Sequence, residues 1–136
     1  MAANTAPIFT LTPHSAVGAS ITAANTAMDG TGTVQTGFTA GANGSYIRKV
    51  IVRAQGSNVA TVFRVFLNNG GSNTVATNNA LIAELSLPIT TASNSVALPS
   101  FEIPLEFAVP ASYALLFTIG TAVAAGVIPV TVGGDY

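Results

Sequence analysis

Apolar and polar residues alternate along much of this chain with a period of two, the spacing of a strand that turns one face to a core and the other outward. The clearest run is Phe101 to Phe107. Phe101, Ile103, Leu105 and Phe107 share one face, and Glu102, Pro104 and Glu106 share the other. Pro104 has no amide hydrogen to give a ladder, which places this strand at a sheet edge or a bulge. Leu81, Ala83, Leu85 and Leu87 alternate with Ile82, Glu84 and Ser86, and Tyr113, Leu115, Phe117 and Ile119 with Ala114, Leu116 and Thr118. Phe63, Val65 and Leu67 alternate with Val62, Arg64 and Phe66, so both faces there are largely apolar. From Tyr46 to Ala54 the phase is ambiguous: Ile47 and Ile51 lie opposite Tyr46, Val50 and Val52, and both faces are expected to be at least partly covered.

Turn chemistry separates these runs. Residues 40–44, 55–58 and 68–73 are rich in Gly and Asn, which tolerate positive φ, and Pro88, Pro99, Pro110 and Pro129 mark further strand ends. Strands are expected over residues 16–23, 33–39, 45–54, 60–68, 80–87, 101–107, 112–119 and 127–132, and no helix of useful length is visible. The fold expected is all-β, an antiparallel two-sheet sandwich of about eight strands arranged like a jelly roll, with an immunoglobulin-like sandwich as the alternative. Residues 1–14 read as an extended N-terminal arm with Ile8 and Phe9 as apolar anchors, and residues 15–136 as the sandwich domain.

Composition narrows the function more than the fold. Charged residues make up 7% of the 136 positions, against about 25% in an ordinary domain. Four bases (Arg48, Lys49, Arg53, Arg64) face five acids (Asp29, Glu84, Glu102, Glu106, Asp135), with one histidine and no cysteine. Thiolate catalysis, cysteine zinc sites and disulfides are thereby excluded. A net charge of −1 supplies no field to gather nucleic acid or an anionic membrane. The apolar stretches, Ala122 to Ile128 the best of them, fall short of the ~20 residues of a spanning helix.

The residues that could carry a reaction are few. His14 lies in a Pro-His-Ser segment and reads as a partly exposed loop histidine without a carboxylate nearby in sequence. Glu102 and Glu106, four apart on a strand, would stand roughly 13 Å apart at ~3.3 Å per residue, wider than the ~6.5–9.5 Å of an inverting glycosidase pair. Asp29-Gly30 lacks the remaining ligands of a calcium loop. No catalytic, metal or cofactor-binding residue is assigned, and none of these groups is expected to be bound. The bases, all between residues 48 and 64, are expected to pair across strands with the later acids.

Three segments carry a resemblance. They are Phe38-Thr39-Ala40-Gly41-Ala42-Asn43-Gly44-Ser45-Tyr46-Ile47-Arg48-Lys49-Val50, Leu98-Pro99-Ser100-Phe101-Glu102-Ile103-Pro104-Leu105 and Val130-Thr131-Val132-Gly133-Gly134-Asp135-Tyr136. In this order and spacing the chain resembles, over about residues 29–136, small virion structural proteins of tailed bacteriophages of the capsid decoration, or cement, type. The resemblance implies a non-enzymatic β-sandwich on the capsid exterior, with the major capsid protein as partner and a homotrimer or dimer as the working unit. No active-site residue comes with it. The contact elements expected are the arm, through Pro7, Ile8 and Phe9, and the Asn/Gly loop, through Asn68, Asn69 and Asn73. The alternative is a carbohydrate- or receptor-binding module, or a tail or collar component, with Tyr46, Tyr113 and Tyr136 as candidates to line a sugar site.

Overall fold

The computed structural model describes residues 9–136. Eight strands account for its regular structure: β1 (Thr12–Val17), β2 (Gln35–Thr39), β3 (Ser45–Ala54), β4 (Thr61–Asn68), β5 (Asn79–Leu87), β6 (Ser100–Val109), β7 (Ala114–Ile119) and β8 (Val127–Asp135). They form two four-stranded sheets, ordered β1-β8-β3-β6 and β2-β7-β4-β5. Pairing is antiparallel and nested: the first strand pairs with the last, the second with the seventh, the third with the sixth and the fourth with the fifth. Only the β4–β5 connection stays within one sheet. A long hairpin rolled into two layers has this connectivity, that of the jelly roll.

The core lies between the sheets. Ile47, Val50 and Val52 from the first sheet meet Phe63, Val65, Leu115 and Phe117 from the second, all fully buried. The Phe63 and Phe117 rings stack tilted, with centroids 5.3 Å apart. The ambiguous phase of β3 is settled by a bulge. Register shifts between Ile47 and Lys49 against both neighbours, so Arg48 and Lys49 both turn outward, and Ile47, Val50 and Val52 share the inner face. In β6 the same irregularity places Glu106 in the left-handed region (φ 54°), while Phe101, Ile103, Leu105 and Phe107 keep the inner face as the alternation requires. Pro104 stands beside that bulge on an edge strand, the two places where its missing donor costs nothing.

The second sheet is covered on both sides, and all six residues of β7 are buried. Residues 25–34 fold over its outer face. The Asn25 amide donates to the Ile119 carbonyl (2.8 Å), the Arg64 guanidinium donates to the Asn25 carbonyl (3.3 Å), and the Asn79 side chain donates to the Asp29 carbonyl (3.1 Å). Under this cover Val34 packs against Phe66, Ala114 and Leu116 as a small second core. The two-sided apolar pattern of β4 is thereby explained.

The first strand corrects the sequence expectation. It spans Thr12–Val17 rather than residues 16–23, so Thr12, Pro13 and His14 belong to the sandwich instead of the arm. Local alternation favours the later segment. The ladder with β8, running from Thr12↔Asp135 to Val17↔Val130, selects the earlier one.

Gly37 supplies a test of how tightly the layers fit. It is the extra residue where β2 slips against β7, and a Cβ there would lie 1.9 Å from Phe117 Cε2. Gly37→Ala is expected to destabilise the fold by about 1–3 kcal/mol, the range for overpacking a core, read as a lowered urea midpoint. Adding Phe117→Leu should make the combined loss smaller than the sum of the two single losses.

Candidate functional site

The described residues expected to touch a partner, Phe9, Asn68, Asn69 and Asn73, fall at one end of the sandwich. This arm end is built from the start of β1, the β2–β3 turn, the β4–β5 loop, the β6–β7 turn and the end of β8. Hydrogen bonds tie these pieces together: Leu11 N–H to Asp135 C=O (2.8 Å), Ala40 N–H to Tyr113 C=O (2.8 Å) and Tyr136 N–H to Gly44 C=O (3.2 Å). Gly70 and Ser112 approach so closely that a Cβ on Gly70 would stand 3.0 Å from the Ser112 carbonyl oxygen.

Pro7 and Ile8 lie outside the described residues. Phe9 is 73% exposed and its neighbour Leu11 is 83% exposed, so neither apolar side chain is seated among the described residues. The Asn/Gly loop divides. Asn68 is only 4% exposed, and its side chain donates to Asn79 Oδ1 (2.8 Å) while accepting from Gly70 N–H (2.8 Å). Its side chain shapes the loop from inside. Asn73 donates to the Gly30 and Gly32 carbonyls (3.3 and 3.0 Å), so it staples the loop to the segment covering the second sheet. Asn69 stays exposed, linked to Asn78 (3.2 Å) and to Gly71 N–H (3.0 Å). Asparagine is used here chiefly as internal scaffolding, because its amide mimics the backbone groups that a turn leaves open.

A side-chain clasp missed by sequence reasoning anchors this end. His14 is a strand residue of β1, not a loop residue. Its Nδ1 donates to Asp135 Oδ1 (2.8 Å), and its ring lies 4.3 Å from that of Phe38 in the opposite sheet. The fully buried Ser45 donates its hydroxyl to the same Asp135 oxygen and accepts from Gly41 N–H (3.0 Å). Serine, histidine and aspartate thus meet, but both donors converge on the carboxylate. In a hydrolase relay the hydroxyl instead hands its proton to the imidazole. Ser45 gives no proton to His14 here, and the group works as a clasp joining β1, β3 and β8. The Ser45 hydroxyl, and next the His14 ring, hold the Asp135 carboxyl below its ordinary range. His14 and Asp135 are 121 residues apart, which hid the pairing from the sequence.

Six of the charged residues pair on the outer sheet faces. Lys49 meets Glu102 at 2.7 Å and Arg64 meets Glu84 at 2.9 Å, with Arg48 and Glu106 a looser 3.8 Å apart. Cross-strand pairing is as expected from the sequence for Arg48, Lys49 and Arg64, whereas Arg53 donates to the Leu98 carbonyl (3.4 Å) instead of meeting an acid. Glu106 also accepts from the Tyr46 hydroxyl, and this hydrogen bond pushes the phenol above its usual range. Tyr113 packs against the core. Among the described residues no three His, Cys, Asp or Glu side chains come together as metal ligands. No described helix is long and apolar enough to cross a membrane.

The clasp predicts an acid response. Because the folded carboxyl of Asp135 ionises below its unfolded value of about 3.9, its contribution is fully present above that pH. It fades as pH falls through the lower folded value. Asp135→Asn should lower stability at neutral pH by about 1 kcal/mol, a charged hydrogen bond discounted for partial exposure. In urea titrations the gap between wild type and variant should close below about pH 4; a gap of constant size would exclude the carboxylate as its source.

No family model, curated protein or solved structure matches the chain.

Proposed function

We propose that this chain is a non-enzymatic structural protein of a tailed-phage virion, which decorates and cements the capsid exterior by binding the lattice of the major capsid protein. The observation that carries the reading is the arm end. The base of the arm, with Phe9 and Leu11 exposed, and the Asn-rich β4–β5 loop converge on one surface. The β2–β3, β4–β5 and β6–β7 loops of that surface carry no charged side chain; the charges beside them are the clasped Asp135 and the exposed Asp29, whose segment is bonded to Asn73 and Asn79. Such loops can meet another protein without the cost of stripping water from ions.

Two further features support the reading. Two of the three segments that resemble virion structural proteins, residues 38–50 and 130–136, are joined at the clasp through Ser45 and Asp135. The jelly roll is also an architecture of viral shell proteins, although it serves lectins and cupins as well and does not by itself select a function. On a lattice, many copies bind at once, so each contact can be weak while the decorated shell gains cohesion.

Deleting residues 1–9 leaves the Leu11–Asp135 hydrogen bond and β1 intact. The expected outcome is an unchanged unfolding midpoint with reduced occupancy on purified phage heads, measured by quantitative mass spectrometry of the particles. Full occupancy by the truncated chain would overturn the assignment of the arm as a contact element.

A further inference from the structure

The β4–β5 loop borders a cleft in which apolar and hydrogen-bonding side chains meet without a charge among them. Leu67, Ala80 and the Tyr113 ring supply its apolar lining, and Asn69, Thr77, Asn78 and the Tyr113 hydroxyl its polar lining. The cleft holds about 180 Å³, below the about 300–1,000 Å³ of a pocket for a drug-sized ligand. Its two amides are held by bonds inside the loop. Asn69 donates one N–H to Asn78 Oδ1 (3.2 Å) and accepts from Gly71 N–H (3.0 Å), and Asn78 donates one N–H to the Ser72 carbonyl (2.9 Å). A carboxamide has two N–H donors and two acceptor sites. After these bonds Asn69 and Asn78 each keep one N–H and one acceptor site.

We infer that this cleft binds an uncharged saccharide, one ring at a time. A sugar ring carries hydroxyls that both donate and accept, set around apolar C–H faces. The N–H and C=O left on one amide match a pair of neighbouring hydroxyls, and the Tyr113 ring and Leu67 match the C–H face. Because the amides are already oriented, less side-chain freedom is lost on binding. Ions are poor ligands here: no lining residue could pair with a phosphate, a carboxylate or an ammonium group, so its lost hydration would go uncompensated. An extended peptide is recognised chiefly through unpaired backbone, and the loop has used its own. The Asn69 N–H donates to the Asn78 carbonyl (3.0 Å), the Asn78 N–H to the Val75 carbonyl (3.0 Å) and the Val75 N–H to the Ser72 carbonyl (3.2 Å). Recognition is left to side-chain amides and hydroxyls, which is how a sugar is read.

The site differs from a platform of tyrosines. Tyr46 and Tyr136 do not line the cleft, and the Tyr46 hydroxyl is bonded to Glu106. Asn79 lines it too but has both amide hydrogens engaged, with the Asp29 and Asn73 carbonyls (3.1 and 2.9 Å), so it supports the loop rather than the ligand. Thr77 and Asn78 enter the site because the loop folds back on itself, from Asn69 to Asn78. The inference goes beyond capsid attachment and does not rest on it. A shallow cleft reading one ring binds weakly, and many copies on one particle would add their contacts.

The test presents the full-length chain to an array of uncharged gluco-, galacto-, manno- and N-acetylglucosamine oligosaccharides, with sialylated and uronic-acid oligosaccharides as the charged arm. The wild type should bind uncharged members. Thr77→Val and Tyr113→Leu should each weaken that binding by about two- to tenfold, the worth of one hydrogen bond or one aromatic contact. Thr77 is exposed, so its variant leaves the core untouched, and the urea midpoint checks the folding of Tyr113→Leu. Tyr46→Leu, outside the cleft, should bind as the wild type does. No binding to uncharged glycans, binding confined to the charged arm, or binding that neither Thr77→Val nor Tyr113→Leu weakens would each overturn the inference. Occupancy on heads is a separate measurement, so failure here leaves the decoration reading standing.

Discussion

Each strand of this sandwich must keep one apolar stripe turned inward, because the two layers share a single core and there is no disulfide to hold them otherwise. β3 meets that demand only through its bulge. Without it, Ile47 would face away from Val50 and Val52; with it, all three reach the core and Arg48 and Lys49 are both expelled. The outward position of Lys49 is what lets it meet Glu102, and that of Arg48 brings it near Glu106. Pattern, register and charge placement in the first sheet are thus one fact seen at three levels.

Where the local pattern agrees with the burial, the sequence was legible. β6 was read from its alternation, and the turns from their Gly and Asn content, because both signals are local. Three features were not legible, for different physical reasons. The phase of β3 is set by an extra residue that no period reveals. The start of β1 is chosen by pairing with β8 rather than by its own alternation. The burial of both faces of β7 depends on residues 25–34, whose sequence reads as loop and whose position over the sheet is a tertiary matter.

The candidate site divides in the same way. The 68–73 loop was legible from its Gly and Asn content, but its convergence with the start of β1 on one end follows from the nested topology. The same topology brings His14 against Asp135, since the first and last strands pair. Asn68 shows the limit of composition as a guide. An Asn in a Gly-rich loop looks exposed, yet the turn needs its amide to occupy backbone partners and draws it inside.

The scarcity of charge acquires a direction once the fold is known. Ion pairs lie on the outer faces of the sheets, where strands place long side chains across from one another. At one end His14 pairs with Asp135 and Asp29 is exposed beside the β4–β5 loop, and at the other Arg53 donates to the Leu98 carbonyl. A net charge of −1 provides little mutual repulsion to keep copies apart. The edge strands are interrupted, and Phe9, Leu11, Val59 and Ile89 stand exposed at the two ends. A chain built in this way is not merely poor in charge. It places most of the charge it has in ion pairs between neighbouring strands, across the sheet faces and at the clasp.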